Sequence, residues 1–125
     1  MSDSPRISDS ELEVMKILWE KAPLTSLEIV KALRSTWSPT TIYTLLTRLV
    51  NKKAVMIEEG SSPYVCKPLL SQQEYRRDSR RSFLKKAYNG SLNLMLINIL
   101  EEEELSETEI DELKRILNGS RKKER

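Results

Sequence analysis

The sequence holds no histidine and one cysteine, Cys66, among its 125 residues. An intramolecular disulfide is thereby excluded, and a zinc or copper site lacks its usual imidazole and thiolate ligands. There is also no Gly-rich phosphate loop and no pair of carboxylates framed by an apolar pocket pattern. The expectation is a protein with no enzymatic activity, cofactor or metal. Glycine is scarce at 3 residues and aromatics reach only 6%, so burial must rest on Leu, Ile and Val. No apolar run approaches the roughly 20 residues of a membrane span. The stretch Met1–Arg6 lacks the apolar core of a secretory signal, and a cytoplasmic location is expected.

Charge is nearly balanced, 21 basic against 19 acidic residues for a net +2, but it is unevenly spread. Between Ser71 and Gly90 six basic residues (Arg76, Arg77, Arg80, Arg81, Lys85, Lys86) stand against two acids, Glu74 and Asp78. From Ser91 to Asn118 acids dominate, with Glu101–Glu104 in one run. Such a chain can bind a polyanion with one surface and itself with another.

Four segments open on Ser or Thr followed three residues later by Glu: Ser8–Glu11, Thr25–Glu28, Ser71–Glu74 and Ser106–Glu109. In this pattern each side chain satisfies a free backbone N–H at a helix start. Three are preceded by an apolar staple residue: Ile7 facing Leu12, Leu24 facing Ile29, Leu105 facing Ile110. The pattern predicts helices over Asp9–Glu20 and Ser26–Arg34. A third is capped by Ser38, with Pro39 in its first turn, and runs to Lys53. Ala54–Ile57 and Tyr64–Lys67 read as two strands around the turn Glu58–Pro63. Ser71 caps a fourth helix to Tyr88, which Asn89-Gly90 stops. The apolar segment Leu92–Leu100 follows. A last helix, Glu107–Leu117, is ended by Asn118-Gly119 and trailed by a basic tail, Arg121–Arg125. The expected fold is mostly α with a small β-hairpin: an N-terminal winged helix-turn-helix over 1–70 and a C-terminal helical dimerisation domain over 71–125.

The third helix carries the sharpest functional signal. Ile42, Leu45, Leu46, Leu49 and Val50 form one apolar stripe at helical spacing. The opposite face holds Thr40, Thr41, Tyr43, Thr44, Thr47, Arg48, Asn51 and Lys52, with no acid. Threonine is a poor helix former, so four of them call for another reason. Threonine hydroxyls and methyls suit phosphates and thymine methyls, arginine can clamp guanine, and an acid-free face does not repel phosphate. Ser38, these residues and Lys53 are the expected DNA contacts. Lys52, Lys53 and Lys67 lie near the hairpin base as backbone candidates, whereas the hairpin tip carries Glu58 and Glu59.

The C-terminal half calls for a partner. Leu92, Leu94, Met95, Leu96, Ile97, Ile99 and Leu100 are apolar nearly all round, and such a helix must be covered on all sides. A second copy is the natural cover. Tyr75, Phe83, Tyr88, Leu92, Leu96, Ile99, Leu100, Ile110, Leu113 and Leu117 are the expected dimer contacts. The basic run of the fourth helix could flank DNA or pair with Glu101–Glu104 across the dimer; the second is favoured because both lie in this half. A two-fold dimer offers two recognition helices to successive major-groove faces, which implies a palindromic operator.

Ile7–Trp19 (ISDSELEVMKILW), Trp37–Leu49 (WSPTTIYTLLTRL), the Phe83-Leu and Tyr88-Asn-Gly90 segments, and the Leu105–Leu113 stretch together resemble the BlaI/MecI family of penicillinase repressors. The resemblance spans nearly the whole chain. It implies a homodimeric repressor of a β-lactamase or resistance gene that binds TACA/TGTA half-sites. It further implies induction by a membrane β-lactam sensor-protease that cuts the repressor in its dimerisation domain. The family's Asn–Phe cut maps onto Asn98–Ile99, with isoleucine in place of phenylalanine. Related copper-responsive repressors carry a C-terminal cysteine cluster, absent from Asn118–Arg125, which disfavours metal sensing. Two other readings are a repressor of another regulon, controlled for instance by oxidation of Cys66, and a winged-helix interaction module without DNA binding.

Overall fold

The computed structural model describes residues 5–121. Met1–Ser4 and all but the first residue of the expected basic tail lie outside them. The chain divides into two compact units between Arg80 and Arg81, inside a helix, whereas the sequence pattern suggested a boundary at Leu70–Ser71.

The first unit contains α1 (Asp9–Lys21), β1 (Leu24–Thr25), α2 (Ser26–Leu33), α3 (Pro39–Asn51), β2 (Val55–Ile57), β3 (Val65–Pro68) and the start of α4 (Gln72–Tyr88). This is the winged helix-turn-helix order. Its core is the set of apolar stripes: Val14, Met15 and Leu18 from α1, Ile29 and Leu33 from α2, and Ile42, Leu45, Leu46 and Leu49 from α3, closed by Ala54, Val55, Cys66 and Leu70. Each fully buried Leu or Ile removes enough apolar surface to stabilise the fold by about 1.5–3 kcal/mol. Leu12, Trp19 and Val30 are half-buried.

The expected hairpin is a three-stranded antiparallel sheet in the order β1-β3-β2. Leu24 pairs with Cys66 and Thr25 with Val65, while Val55, Met56 and Ile57 pair with Pro68, Lys67 and Cys66. The added strand is two residues long, too short for any alternation to announce it. The Ser26 N–H donates to the Tyr64 carbonyl at 2.7 Å, tying the start of α2 to the end of the hairpin loop. Trp19 anchors α4: its Nε1 donates to the Leu70 carbonyl at 2.8 Å, and its ring lies 5.5 Å from that of Tyr75.

The second unit holds the rest of α4 with α5 (Leu92–Glu102) and α6 (Glu107–Arg121). Asn89 and Gly90 take φ values of +53° and +83°, the left-handed geometry that ends α4 as expected. The second Asn-Gly behaves otherwise. α6 continues through Asn118-Gly119, because Gly119 is not left-handed, and a glycine inside a helix only weakens it, by about 1 kcal/mol relative to alanine. All four expected capping boxes form, with the Glu N–H donating to the Ser or Thr oxygen and the cap N–H donating to the Glu carboxylate. Ser91 adds a cap to α5, its Oγ accepting from the Leu94 N–H at 3.0 Å. No residue of α4 or α5 is buried.

Candidate nucleic-acid interface

The apolar stripe of α3 fixes which side the helix shows. With Ile42, Leu45, Leu46 and Leu49 buried, the helical period turns Thr40, Thr41, Tyr43, Thr44, Thr47, Arg48 and Asn51 outward, and all are exposed. Ser38 starts the helix. Its Oγ accepts from the Thr41 N–H at 3.3 Å and donates to Thr41 Oγ1 at 3.1 Å. Thr44 and Thr47 hydroxyls donate back to the Thr40 and Tyr43 carbonyls at 3.0 and 2.9 Å. Their protons are thus committed, while the oxygens remain acceptors and the methyls stay outside. Arg48 makes no ion pair with any described residue, so its guanidinium is free to meet an external acceptor.

At its far end α3 stops in a Schellman motif. The Lys53 N–H donates to the Val50 carbonyl at 3.0 Å and the Ala54 N–H to the Leu49 carbonyl at 2.9 Å. The motif needs a left-handed residue, which is usually glycine. Here it is Lys53, at φ +65°, and its side chain is exposed. Lys67 is exposed as well, on β3 opposite Met56.

Lys52 has different surroundings. Its Nζ donates to Glu11 Oε1 at 2.6 Å and to the Arg6 carbonyl at 2.7 Å. Glu11 is 1% exposed. Burial works against its charge, but the Lys52 hydrogen bond, the Ser8 N–H and the Lys52 charge together hold its carboxyl below its ordinary value. The sequence offers no sign of this pair. Its members are 41 residues apart, and Glu11 has the same capping spacing as the other three glutamates.

An open cleft of about 610 Å³ adjoins Tyr43, lined also by Ser26 and Leu27 of α2 and by Ser61, Ser62, Pro63 and Tyr64 of the hairpin loop. None of these side chains is charged. Glu58 and Glu59 lie at the exposed tip of the same loop. Cys66, in the middle strand, is fully buried, and burial pushes its thiol up from the ordinary 9.0. A buried, protonated thiol is a poor target for oxidation, which weighs against the redox reading. Among the described residues no group of three or more His, Cys, Asp or Glu side chains could hold a metal ion.

The expected dimer contacts divide between the two units. Tyr75 lies in the first, half-buried against Trp19 and the core. Phe83 and Tyr88 stack edge-on in the second, 5.9 Å apart. Leu92, Leu96, Ile99, Leu100, Ile110, Leu113 and Leu117 are all exposed, by 37 to 57%. Asn98 is half-buried on α5 beside Ile99. No described helix is long and apolar enough to cross a membrane.

Residues 7–119 match the penicillinase repressor family. A penicillinase repressor of Bacillus licheniformis is 43% identical over 99% of this chain and 100% of its own length. The methicillin resistance regulatory protein MecI of Staphylococcus aureus is 34% identical over 90% of this chain and 93% of its own. The solved monomeric form of Bacillus licheniformis BlaI, in complex with the blaP half-operator, is 39% identical. It covers 60% of this chain and 94% of that one, with a TM-score of 0.52. The exposed, acid-free α3 thus sits in a fold shared with that structure over 60% of this chain and in a sequence shared over almost all of it, and this protein belongs to the penicillinase repressor family.

Proposed function

We propose that this chain is a cytoplasmic, homodimeric transcriptional repressor, not an enzyme, that binds palindromic operator DNA with TACA/TGTA half-sites before a β-lactamase or resistance gene. The observation that carries the reading is the outward face of α3, free of acid and supplied with an arginine that forms no ion pair with any described residue. Ser38, Thr40, Thr41, Tyr43, Thr44, Thr47, Arg48 and Asn51 are the proposed contacts to bases and adjacent phosphates, with Lys53 as a backbone contact. The Bacillus licheniformis relative bound to a half-operator supports the assignment.

The domains are proposed as residues 1–70 for DNA and 71–125 for dimerisation. Bare apolar side chains on α5 and α6 support the second role, since a surface this apolar is stabilised by a partner. Leu92, Leu96, Ile99, Leu100, Ile110, Leu113 and Leu117, with Phe83, Tyr88 and Tyr75 at the margin, form the proposed interface. Derepression is proposed to follow cleavage at Asn98–Ile99 by a membrane β-lactam sensor-protease. Cutting there separates α6 and the last four residues of α5 from the rest, so the two copies part and the avidity of two linked half-sites is lost.

Titration of a TACA/TGTA duplex, repeated across salt, tests the central claim. Affinity should fall steeply as salt rises. Arg48→Ala or Thr44→Ala should weaken operator binding by about 1–3 kcal/mol with the dimer intact. Unchanged binding in both variants would remove α3 as the reading element. Mass analysis of the repressor after β-lactam exposure in the producing cell should yield a fragment ending at Asn98, and an intact chain in derepressed cells would refute the cleavage.

A further inference from the structure

Four glutamates close capping boxes, but their fates differ. Glu28, Glu74 and Glu109 are exposed, as a cap alone requires. Glu11 is buried, and its Oε1 accepts both from the Ser8 N–H at 2.9 Å and from Lys52 Nζ at 2.6 Å. Lys52 is the C-cap of α3, and it reaches on to the Arg6 carbonyl at 2.7 Å. Three stretches of chain therefore meet at one ammonium: the segment before α1, the first turn of α1, and the end of α3.

Stability alone is a weak account of such a pair. Desolvating two charges offsets much of their attraction, and apolar replacements are often neutral or better. What the pair adds is direction. Packing of Val14, Met15 and Leu18 with Ile42, Leu45 and Leu49 is non-directional and leaves α3 some freedom to roll. The hydrogen-bonded ammonium limits that roll. Side-chain ends lie about 5–6 Å from a helix axis, so a roll of about 20° displaces them by about 2 Å, enough to lose a hydrogen bond to a base edge. Asn51 is the neighbouring residue and Arg48 lies one turn before Lys52.

We infer that Glu11 and Lys52 form a positioning pair that fixes the rotation of α3 for operator reading, and that Lys52 is not itself a phosphate contact. This rests on the operator-binding reading above.

The test uses the full-length protein, a TACA/TGTA palindrome and a scrambled duplex of equal length, at several salt concentrations and below each variant's melting temperature. Lys52→Met should lose at least tenfold in operator affinity, keep its affinity for the scrambled duplex within about twofold, and keep the salt slope; Lys52→Arg should recover part of the loss. A slope reduced by about 0.9, the value of one phosphate, with equal loss on both duplexes, would overturn the inference. Glu11→Gln keeps the capping box and removes the charge that holds the ammonium. It should weaken operator binding; stronger binding to both duplexes, as a freed phosphate contact would give, overturns the inference, and so does unchanged binding in both variants. A wild-type protein that does not distinguish the two duplexes would instead refute the operator-binding reading.

Discussion

Lys53 holds a conformation that suits glycine. A left-handed non-glycine residue is strained by roughly 1–2 kcal/mol, yet the Schellman bonds to Val50 and Leu49 keep Lys53 at φ +65°. Lys53→Gly should therefore raise the unfolding free energy by about 1 kcal/mol, less the extra freedom glycine gains in the unfolded chain. Urea titration reads the change, and a loss of stability would mean that the lysine side chain itself supports the fold. Glu11 makes a prediction in pH. Its carboxyl is held below the ordinary 4.5 in the folded chain. The stability its charge contributes is thus fully present above that value and lost as pH falls through the lowered one. The stability gap between the wild-type protein and Glu11→Gln should be wide at pH 7 and shrink towards pH 3. A gap constant across that range would leave the Lys52 contact without energetic weight.

At the level of elements, α3 is built against its own helicity. Thr44 and Thr47 donate to the carbonyls one turn back, a bond that offers the backbone an alternative and does little for the helix. Alanine has a higher helix propensity by about half a kcal/mol. Thr44→Ala and Thr47→Ala should each raise the melting temperature slightly while weakening operator binding. A parallel loss of both would show that the threonines serve the fold. The same helix shows how far sequence alone reaches. Its stripe, its Ser38 cap and its acid-free face are all periodic or local signals, and the structure carries them as expected. β1 was not legible, since a pairing two residues long leaves no period behind. Nor was the end of α6: Asn118-Gly119 reads like Asn89-Gly90, but only the latter turns left-handed. Lys52 looked like one more cation beside Lys53, because a contact spanning 41 residues has no local signature.

At the scale of the whole molecule, the tasks proposed for the two units can be tested apart. The core that positions α3 lies within the first unit and draws no residue from α5 or α6. Leu96→Asp with Ile99→Asp should therefore leave the melting of the winged-helix unit unchanged. In the proposed dimer it would place charges in an apolar contact, where an unpaired charge is strongly disfavoured. Sedimentation should then report a monomer. Loss of the linkage between two half-sites removes an effective-concentration advantage of about 10²–10⁴, so affinity for the full palindrome should drop towards that for a single half-site. Half-site affinity itself should not change. The salt slope discriminates further. A monomer neutralises about half as many phosphates as a dimer, so the slope on the palindrome should fall by about half. If the double variant still binds the palindrome with full affinity and full slope, α5 does not join the copies and the C-terminal helices need another role.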